Sequence, residues 1–193
     1  MLISFAGIRN EVIAANAALP NKRNLLLLGY SATEAAFKRA PLAEFGIIHL
    51  AVHGFVSEEY PDRAAIVLLP DPSAGEDGFL QASEIVQLHL EAELVVLSAC
   101  DTAVGPIEGE EGIATLSRAF LLAGANSTVS TLWSVSDTSS FALMQQFYTH
   151  LSKKESPEYA LAGAKRDMLR KFGHNISPYF WAGFTFEGAA DPR

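Results

Sequence analysis

Residues 47–54 read IIHLAVHG and residues 94–101 read LVVLSACD, and these two stretches decide the fold. Each is a short apolar run bounded by loop signals, the pattern of a strand that is buried on both faces of a parallel sheet. The first run delivers His53 and the second delivers Cys100. Open α/β sheets place their chemistry just beyond the carboxyl ends of such strands. We therefore predict a functional site where these two runs end.

The composition indicates a soluble globular chain. Its 193 residues are 49% apolar and 19% charged, which suits one domain over residues 1–193 with a sizeable core. A net charge of −8 argues against nucleic acid as a direct partner, because that affinity comes largely from Lys and Arg. A lone cysteine fits a reducing compartment, and the sequence has neither a signal-peptide pattern nor a long apolar span. We expect a cytoplasmic protein with no membrane partner.

Strand and helix patterns alternate along the chain. Apolar or β-rich runs predict strands at 2–6, 25–28, 47–52, 64–69, 94–99, 127–133 and 179–186. Helical spacing predicts helices at 8–19, 34–40, 82–88, 113–123, 137–151 and 157–172, with a capping box at Ser31–Glu34, a cap at Ser136 and stops at Gly124 and Gly173. Such alternation favours an α/β fold with a mostly parallel sheet that is covered on both faces.

The two reactive side chains suit nucleophilic catalysis. A thiol attacks only as the thiolate, and an imidazole is the usual base near neutral pH, so His53 is a candidate base for Cys100. Gly54 has no Cβ, which allows close approach of a substrate and exposes a backbone N–H to a developing oxyanion. The N–H of Cys100 is the candidate for the second donor. Free cysteine is also among the most buried residue types, so packing alone is the alternative role of Cys100.

Four segments together resemble the CHAT domain family of caspase-like and separase-like cysteine peptidases. They are HLAVHG at 49–54, LVVLSACDTAVG at 94–105, GEEGIATLSRAFLLAGANSTVSTLWSVSD at 109–137 and SPYFWAGFTFEG at 177–188. The resemblance covers nearly the whole chain, from about Gly7 to Gly188. Members of this family are often fused to tetratricopeptide repeats and usually carry residues before the region that matches Met1, so we expect this chain to be the C-terminal core of a longer protein.

The resemblance implies a caspase-haemoglobinase-like three-layer α/β/α sandwich and hydrolysis of peptide bonds in a protein substrate. It implies that His53 is the general base and later the acid, that Cys100 is the nucleophile, and that Gly54 and Cys100 form the oxyanion hole. Gating by partner domains, such as a tetratricopeptide-repeat region or a regulatory protein, is expected because an endopeptidase that is always active would be harmful. The loops at 70–78 and 103–112 are expected to be mobile and to serve that control.

Asp137 has two readings. In the related separases, an acidic residue in the segment after "LW" faces the P1 side chain, and Asp137 in LWSVSD is the nearest match, which would favour a basic P1 residue. An aspartate here is equally suited to cap the following helix.

Other functions have less support in the sequence. A catalytically silent interaction module with the same fold is the alternative, although such a module has no need to keep His53, Gly54 and Cys100 together. A nucleotide-binding domain is suggested by the strand-helix rhythm alone, and no phosphate loop supports it. The scattered histidines show no metal-ligand spacing, so we expect neither metal nor cofactor. The acidic residues Glu108, Glu110 and Glu111 are typical of a solvated loop before a helix.

Overall fold

The computed structural model describes residues 1–4, 9–19, 24–55, 64–98, 110–133, 135–173 and 176–189. Nine strands and six helices are assigned within these ranges. The strands are β1 (Leu2–Ser4), β2 (Leu26–Leu28), β3 (Ile47–Ala51), β4 (Gly54–Phe55), β5 (Ala65–Val67), β6 (Phe79–Gln81), β7 (Leu94–Leu97), β8 (Ser127–Thr131) and β9 (Phe184–Gly188). The helices are α1 (Arg9–Ala18), α2 (Glu34–Arg39), α3 (Ala82–Ile85), α4 (Glu110–Leu122), α5 (Asp137–Ser152) and α6 (Pro157–Phe172).

A six-stranded sheet forms the centre of the molecule, with the strand order β2-β1-β3-β7-β8-β9. The first five strands are parallel to their neighbours, and β9 closes the sheet antiparallel to β8. The mostly parallel sheet predicted from the sequence is therefore confirmed. The strand expected at 179–186 begins only at Phe184, because residues 178–180 form a 3₁₀ turn before it.

Helices cover both faces of this sheet. On one face, Phe37 of α2, Ile85 of α3 and Phe120 of α4 are buried against alternate residues of the strands. On the other face, Val12 of α1 packs with residues of α5 and α6. These two apolar layers make the three-layer α/β/α arrangement that the sequence predicted.

A second, small sheet was not predicted. Strands β4, β5 and β6 pair antiparallel in that order. The apolar run at 64–69 was expected to join the parallel sheet, but its strand, β5, instead lies between β4 and β6. Strands of two or three residues carry too little periodicity to be recognised in a sequence.

Two helix termini that the sequence predicted, the start of α2 and the end of α4, can be compared with the structure. The capping box read at Ser31 was wrong, since Thr33 caps α2 through its side-chain oxygen, which accepts the Ala36 N–H at 3.0 Å. Ser31 lies in the preceding 3₁₀ turn and its hydroxyl oxygen accepts the Leu28 N–H. The stop predicted at Gly124 is confirmed, because Gly124 has φ +112° and a Cβ there would lie 2.2 Å from the Leu90 carbonyl oxygen.

The loop at 70–78 is fastened to two helices. Lys38 of α2 donates to Glu76 of this loop at 2.7 Å and to Glu84 of α3 at 2.8 Å, and it also contacts the buried Glu34 at 2.7 Å. Burial of Lys38 lowers its pKa, but the hydrogen bonds to the three carboxylates outweigh this and raise the pKa above its ordinary value. Within the loop, Asp71 and Glu76 form a β-bridge. The loop that was expected to be mobile is therefore held by specific contacts with α2 and α3.

Among the helices of the described residues, none combines the length and the apolar character that a membrane crossing requires.

Candidate functional site

His53 follows the carboxyl end of β3, as the sequence predicted. The strand ends at Ala51, and the chain passes through the buried Val52 to His53, which is half-buried. The backbone carbonyl of His53 accepts the Val67 N–H at 2.8 Å, which attaches this residue to the small sheet. His53 therefore stands where the two sheets meet.

Strand β7 lies directly beside β3 and runs in the same direction. Leu50 pairs with Leu97, and the Ser98 N–H donates to the Leu50 carbonyl at 3.1 Å. The strands that were predicted to deliver His53 and Cys100 are thus neighbours with a common carboxyl edge. Cys100 itself lies outside the described residues, so the contact between thiol and imidazole stays a prediction.

The backbone N–H and C=O groups of Gly54 point away from strand β5. Hydrogen-bonded and non-hydrogen-bonded positions alternate along an antiparallel pair. His53 and Val67 form a hydrogen-bonded position, so Gly54, opposite Ile66, occupies the next, non-hydrogen-bonded one. Its N–H therefore points toward the outer edge of β4, and the residue itself is buried.

Asp137 is the first residue of α5 and is not the helix cap. The cap is Ser136, whose hydroxyl accepts the Ser139 N–H at 3.4 Å, as the sequence predicted. The Asp137 side chain is exposed and makes no hydrogen bond or ion pair with the residues that the structure describes. The capping role proposed for Asp137 is therefore excluded. Since β8 runs parallel to β7, its continuation through Asp137 begins at the same sheet edge as His53.

Three buried polar side chains were missed by sequence reasoning. His49 of β3 contacts Glu11 of α1 through Nε2 at 3.0 Å and Tyr148 of α5 through Nδ1 at 2.7 Å, and each of the three is at most 2% exposed. Glu11 Oε1 lies within ion-pair distance of His49 Nε2, but the geometry does not meet the angles of a hydrogen bond. Burial, and then the charge of Glu11, raise the pKa of Tyr148 well above its ordinary value. The three residues come from distant segments, so no local motif marks them.

Two other histidines have contacts of a structural kind. His150, in the last turn of α5, has Glu155 at 2.8 Å from Nδ1 and Asp167 of α6 at 2.9 Å from Nε2. His89 is 80% exposed and lies 3.7 Å from Glu91. Neither lies at the carboxyl edge where His53 stands.

One acidic cluster of the described residues has a geometry that suits a cation. Carboxylate oxygens of Glu34, Glu76 and Glu84 lie within 4.8 Å of one another. The ammonium of Lys38 contacts all three, so this position already holds a positive charge supplied by the protein. Of the acidic residues that were expected in a loop, Glu110 and Glu111 instead begin α4, and Glu108 lies outside the described residues.

Comparisons with known proteins agree with this architecture. Tetratricopeptide repeat protein 28 of Mus musculus is 34% identical over 112 residues, and the Homo sapiens protein of that name is 31% identical over 112 residues. Each match covers 57% of this chain and 4% of the relative, so the chain spans a small part of those proteins. The family model of the CHAT domain matches residues 4–189. The chain therefore belongs to the CHAT domain family, and its α/β/α architecture is of the caspase-like class.

Proposed function

We propose that this chain is a cysteine endopeptidase that cleaves a protein substrate, with Cys100 as the nucleophile and His53 as the general base. The observation that supports this most is the parallel pairing of β3 with β7. It gives the chain segments that lead to His53 and Cys100 a common edge of the sheet. Catalytic groups of open α/β sheets lie at such an edge.

The proposed reaction proceeds through an acyl-enzyme. The His53 imidazole takes the proton of the Cys100 thiol, and the thiolate attacks the carbonyl carbon of the scissile bond to form a tetrahedral oxyanion. The oxyanion accepts hydrogen bonds from the N–H groups of Gly54 and Cys100. When the C–N bond breaks, the imidazolium gives its proton to the leaving amine. His53 then takes a proton from water, the resulting hydroxide attacks the thioester carbon, the C–S bond breaks, and the imidazolium returns its proton to the Cys100 sulfur as the acid product leaves.

The proposed P1 preference is for a basic residue. Asp137 is an exposed carboxylate that the cap reading no longer accounts for, and it follows the strand next to β7. A Lys or Arg side chain of the substrate complements such a carboxylate, and Arg does so with paired hydrogen bonds. The chain's net charge of −8 also favours the approach of basic peptides.

The name of the curated relatives supports a proposal about control. Both are tetratricopeptide repeat proteins, and each extends far beyond the matched region. We propose that residues 1–193 form one catalytic domain, the C-terminal core of a longer cytoplasmic protein. In this proposal, a tetratricopeptide-repeat region or a regulatory protein gates access to the site.

Peptide hydrolysis by the full-length protein tests the assignment. Peptides that differ only at P1 are offered to the wild type, Cys100→Ala, His53→Ala and the matched control His89→Ala, which alters an exposed histidine. We expect Cys100→Ala and His53→Ala to reduce kcat/KM by about 10³-fold or more, and His89→Ala to leave it unchanged. Equal turnover by all four proteins would contradict the assignment. A Cys100 that fails to react with an electrophilic peptide probe in the presence of native partners would favour the silent interaction module.

A further inference from the structure

We infer that Trp133 and Gly183 are positioning residues for P1 specificity, because they fix the start of the connection that leads from β8 to Asp137, the first residue of α5. The inference deepens the proposed peptidase function and rests on it. It concerns three segments: the end of β8, the turn at 178–183 that precedes β9, and the start of α5. All of these contacts lie within the described residues.

The chain that leaves β8 is fastened at once to the turn before β9. The Leu132 N–H donates to the Gly183 carbonyl at 2.9 Å, and the indole Nε1–H of Trp133 donates to the Tyr179 carbonyl at 2.9 Å. The indole also stacks on the Tyr179 ring, with centroids 6.3 Å apart and planes 16° from parallel. Two directional hydrogen bonds and a ring stack therefore determine where this connection begins.

Gly183 is required for this packing because its backbone lies against the indole. A Cβ at Gly183 would lie 2.7 Å from Cε2 of Trp133, closer than real Cβ contacts allow, and 3.0 Å from Nε1, which is also tight. The opposing group is a rigid ring that its own hydrogen bond holds in place, so it cannot yield by a simple rotation. A methyl group at 183 would displace Trp133 and the backbone that carries it.

The far end of the connection is held as well. Val135 is 1% exposed and packs into the apolar layer under α5. Ser136 caps the helix, and its hydroxyl also donates to Ser139 Oγ at 3.0 Å. Asp137 comes next, and its carboxylate has no hydrogen bond or ion pair with the described residues. Its location is thus set by the backbone, and the backbone is set by Trp133 at one end and by Val135 and Ser136 at the other.

This arrangement suits a specificity residue. A carboxylate discriminates between a basic and a neutral P1 side chain only if it is held at a fixed distance from it, and a misplacement of about 1 Å costs up to about 100-fold in rate. The inference requires that displacement of Trp133, at the start of the connection, shifts Asp137, four residues further along the chain. The His53 imidazole and the Gly54 N–H belong to the segment that joins β3 to β4 and stay in place.

The test compares two peptides, identical except for Arg or citrulline at P1, with the full-length protein. Citrulline keeps the shape of Arg and removes its charge, so the ratio of the two kcat/KM values reports on the carboxylate. We expect Gly183→Ala to reduce this ratio by about tenfold and to change the citrulline value by less than about twofold. The matched control is Gly46→Ala, since a Cβ at Gly46 meets open space. It should leave both values unchanged.

Two further variants keep the inference falsifiable if Gly183→Ala folds poorly. Gly183→Ala/Trp133→Phe makes room for the added methyl but removes the indole hydrogen bond to the Tyr179 carbonyl, so it should fold better than Gly183→Ala and keep a reduced ratio. Tyr179→Ala removes the half-exposed ring that stacks on the indole, and it should reduce the ratio in the same direction. Unchanged ratios in Tyr179→Ala and Gly183→Ala, or equal losses for both peptides, would overturn the inference. Hydrolysis that survives Cys100→Ala would overturn the peptidase assignment itself, which is a separate outcome.

Discussion

Replacement of Tyr148 by Phe removes one oxygen atom from a fully buried contact. The hydroxyl lies 2.7 Å from His49 Nδ1, and both side chains are 0% exposed. Because burial and the Glu11 charge raise the pKa of Tyr148, the hydroxyl keeps its proton and is able to donate it to Nδ1. On the other side of the ring, His49 Nε2 lies 3.0 Å from Glu11 Oε1. Tyr148→Phe removes the contact between the hydroxyl and His49 and preserves the aromatic ring.

The expected loss of stability follows from the polar atom that the substitution leaves without a partner. A Phe ring retains the apolar packing of Tyr148, but His49 Nδ1, on a fully buried side chain, loses its hydrogen-bond partner. A buried polar atom left unsatisfied costs about 1–3 kcal/mol. We therefore expect the free energy of unfolding to fall by that amount, which is a large part of the stability of an ordinary domain.

Urea denaturation measures this change, because the midpoint moves while the slope stays constant if only stability is altered. The matched control is Tyr30→Phe, which removes the same oxygen from a side chain that is 96% exposed. It should change the free energy of unfolding by less than about 0.5 kcal/mol. Equal effects of Tyr148→Phe and Tyr30→Phe would refute the reasoning, since burial would then have no influence on the cost.

The remaining predictions concern a histidine and a glycine. The hydrogen bond to Glu155 raises the pKa of His150, partial burial opposes it, and the bond to Asp167 adds to the rise. The stability that His150 contributes is therefore complete below its unfolded pKa of 6.5 and is lost as pH rises through the higher folded value. The Tm difference between wild type and His150→Gln should shrink over that window, and a difference independent of pH would contradict it. Gly124→Ala places a methyl 2.2 Å from the Leu90 carbonyl oxygen at φ +112°, so thermal unfolding should show a loss above about 1 kcal/mol, unlike Gly46→Ala.

The sequence predicted the central sheet because its signal is local. The run that ends at Ala51 and the run that ends at Leu97 are each continuous and apolar, and buried parallel strands require this pattern. A crossover connection can place two such strands side by side, and their adjacency was predicted although the run at 64–69 lies between them in the chain. The common edge of β3 and β7 was therefore within reach of sequence reasoning, although the position of Cys100 lies outside the described residues.

The local pattern left some choices open, and contacts in the folded chain decide them. Thr33 and Ser31 are both acceptable caps, and the choice between them is made by Ser31 bonding back to Leu28. Similarly, Ser136 and Asp137 compete for one cap position, and the backbone selects Ser136. The contacts of Glu11 with His49 and of Trp133 with Gly183 join segments far apart along the chain, so no periodicity announces them.

One ammonium group joins three parts of the molecule. Without the positive charge of Lys38, the carboxylates of Glu34, Glu76 and Glu84 would confront one another within 4.8 Å with only mutual repulsion between them. The connection between β5 and β6 would then be pushed outward from helix α2. Loss of this positive charge would therefore loosen the loop, while the Gly78 N–H would still donate to the Glu34 carboxylate at 2.7 Å.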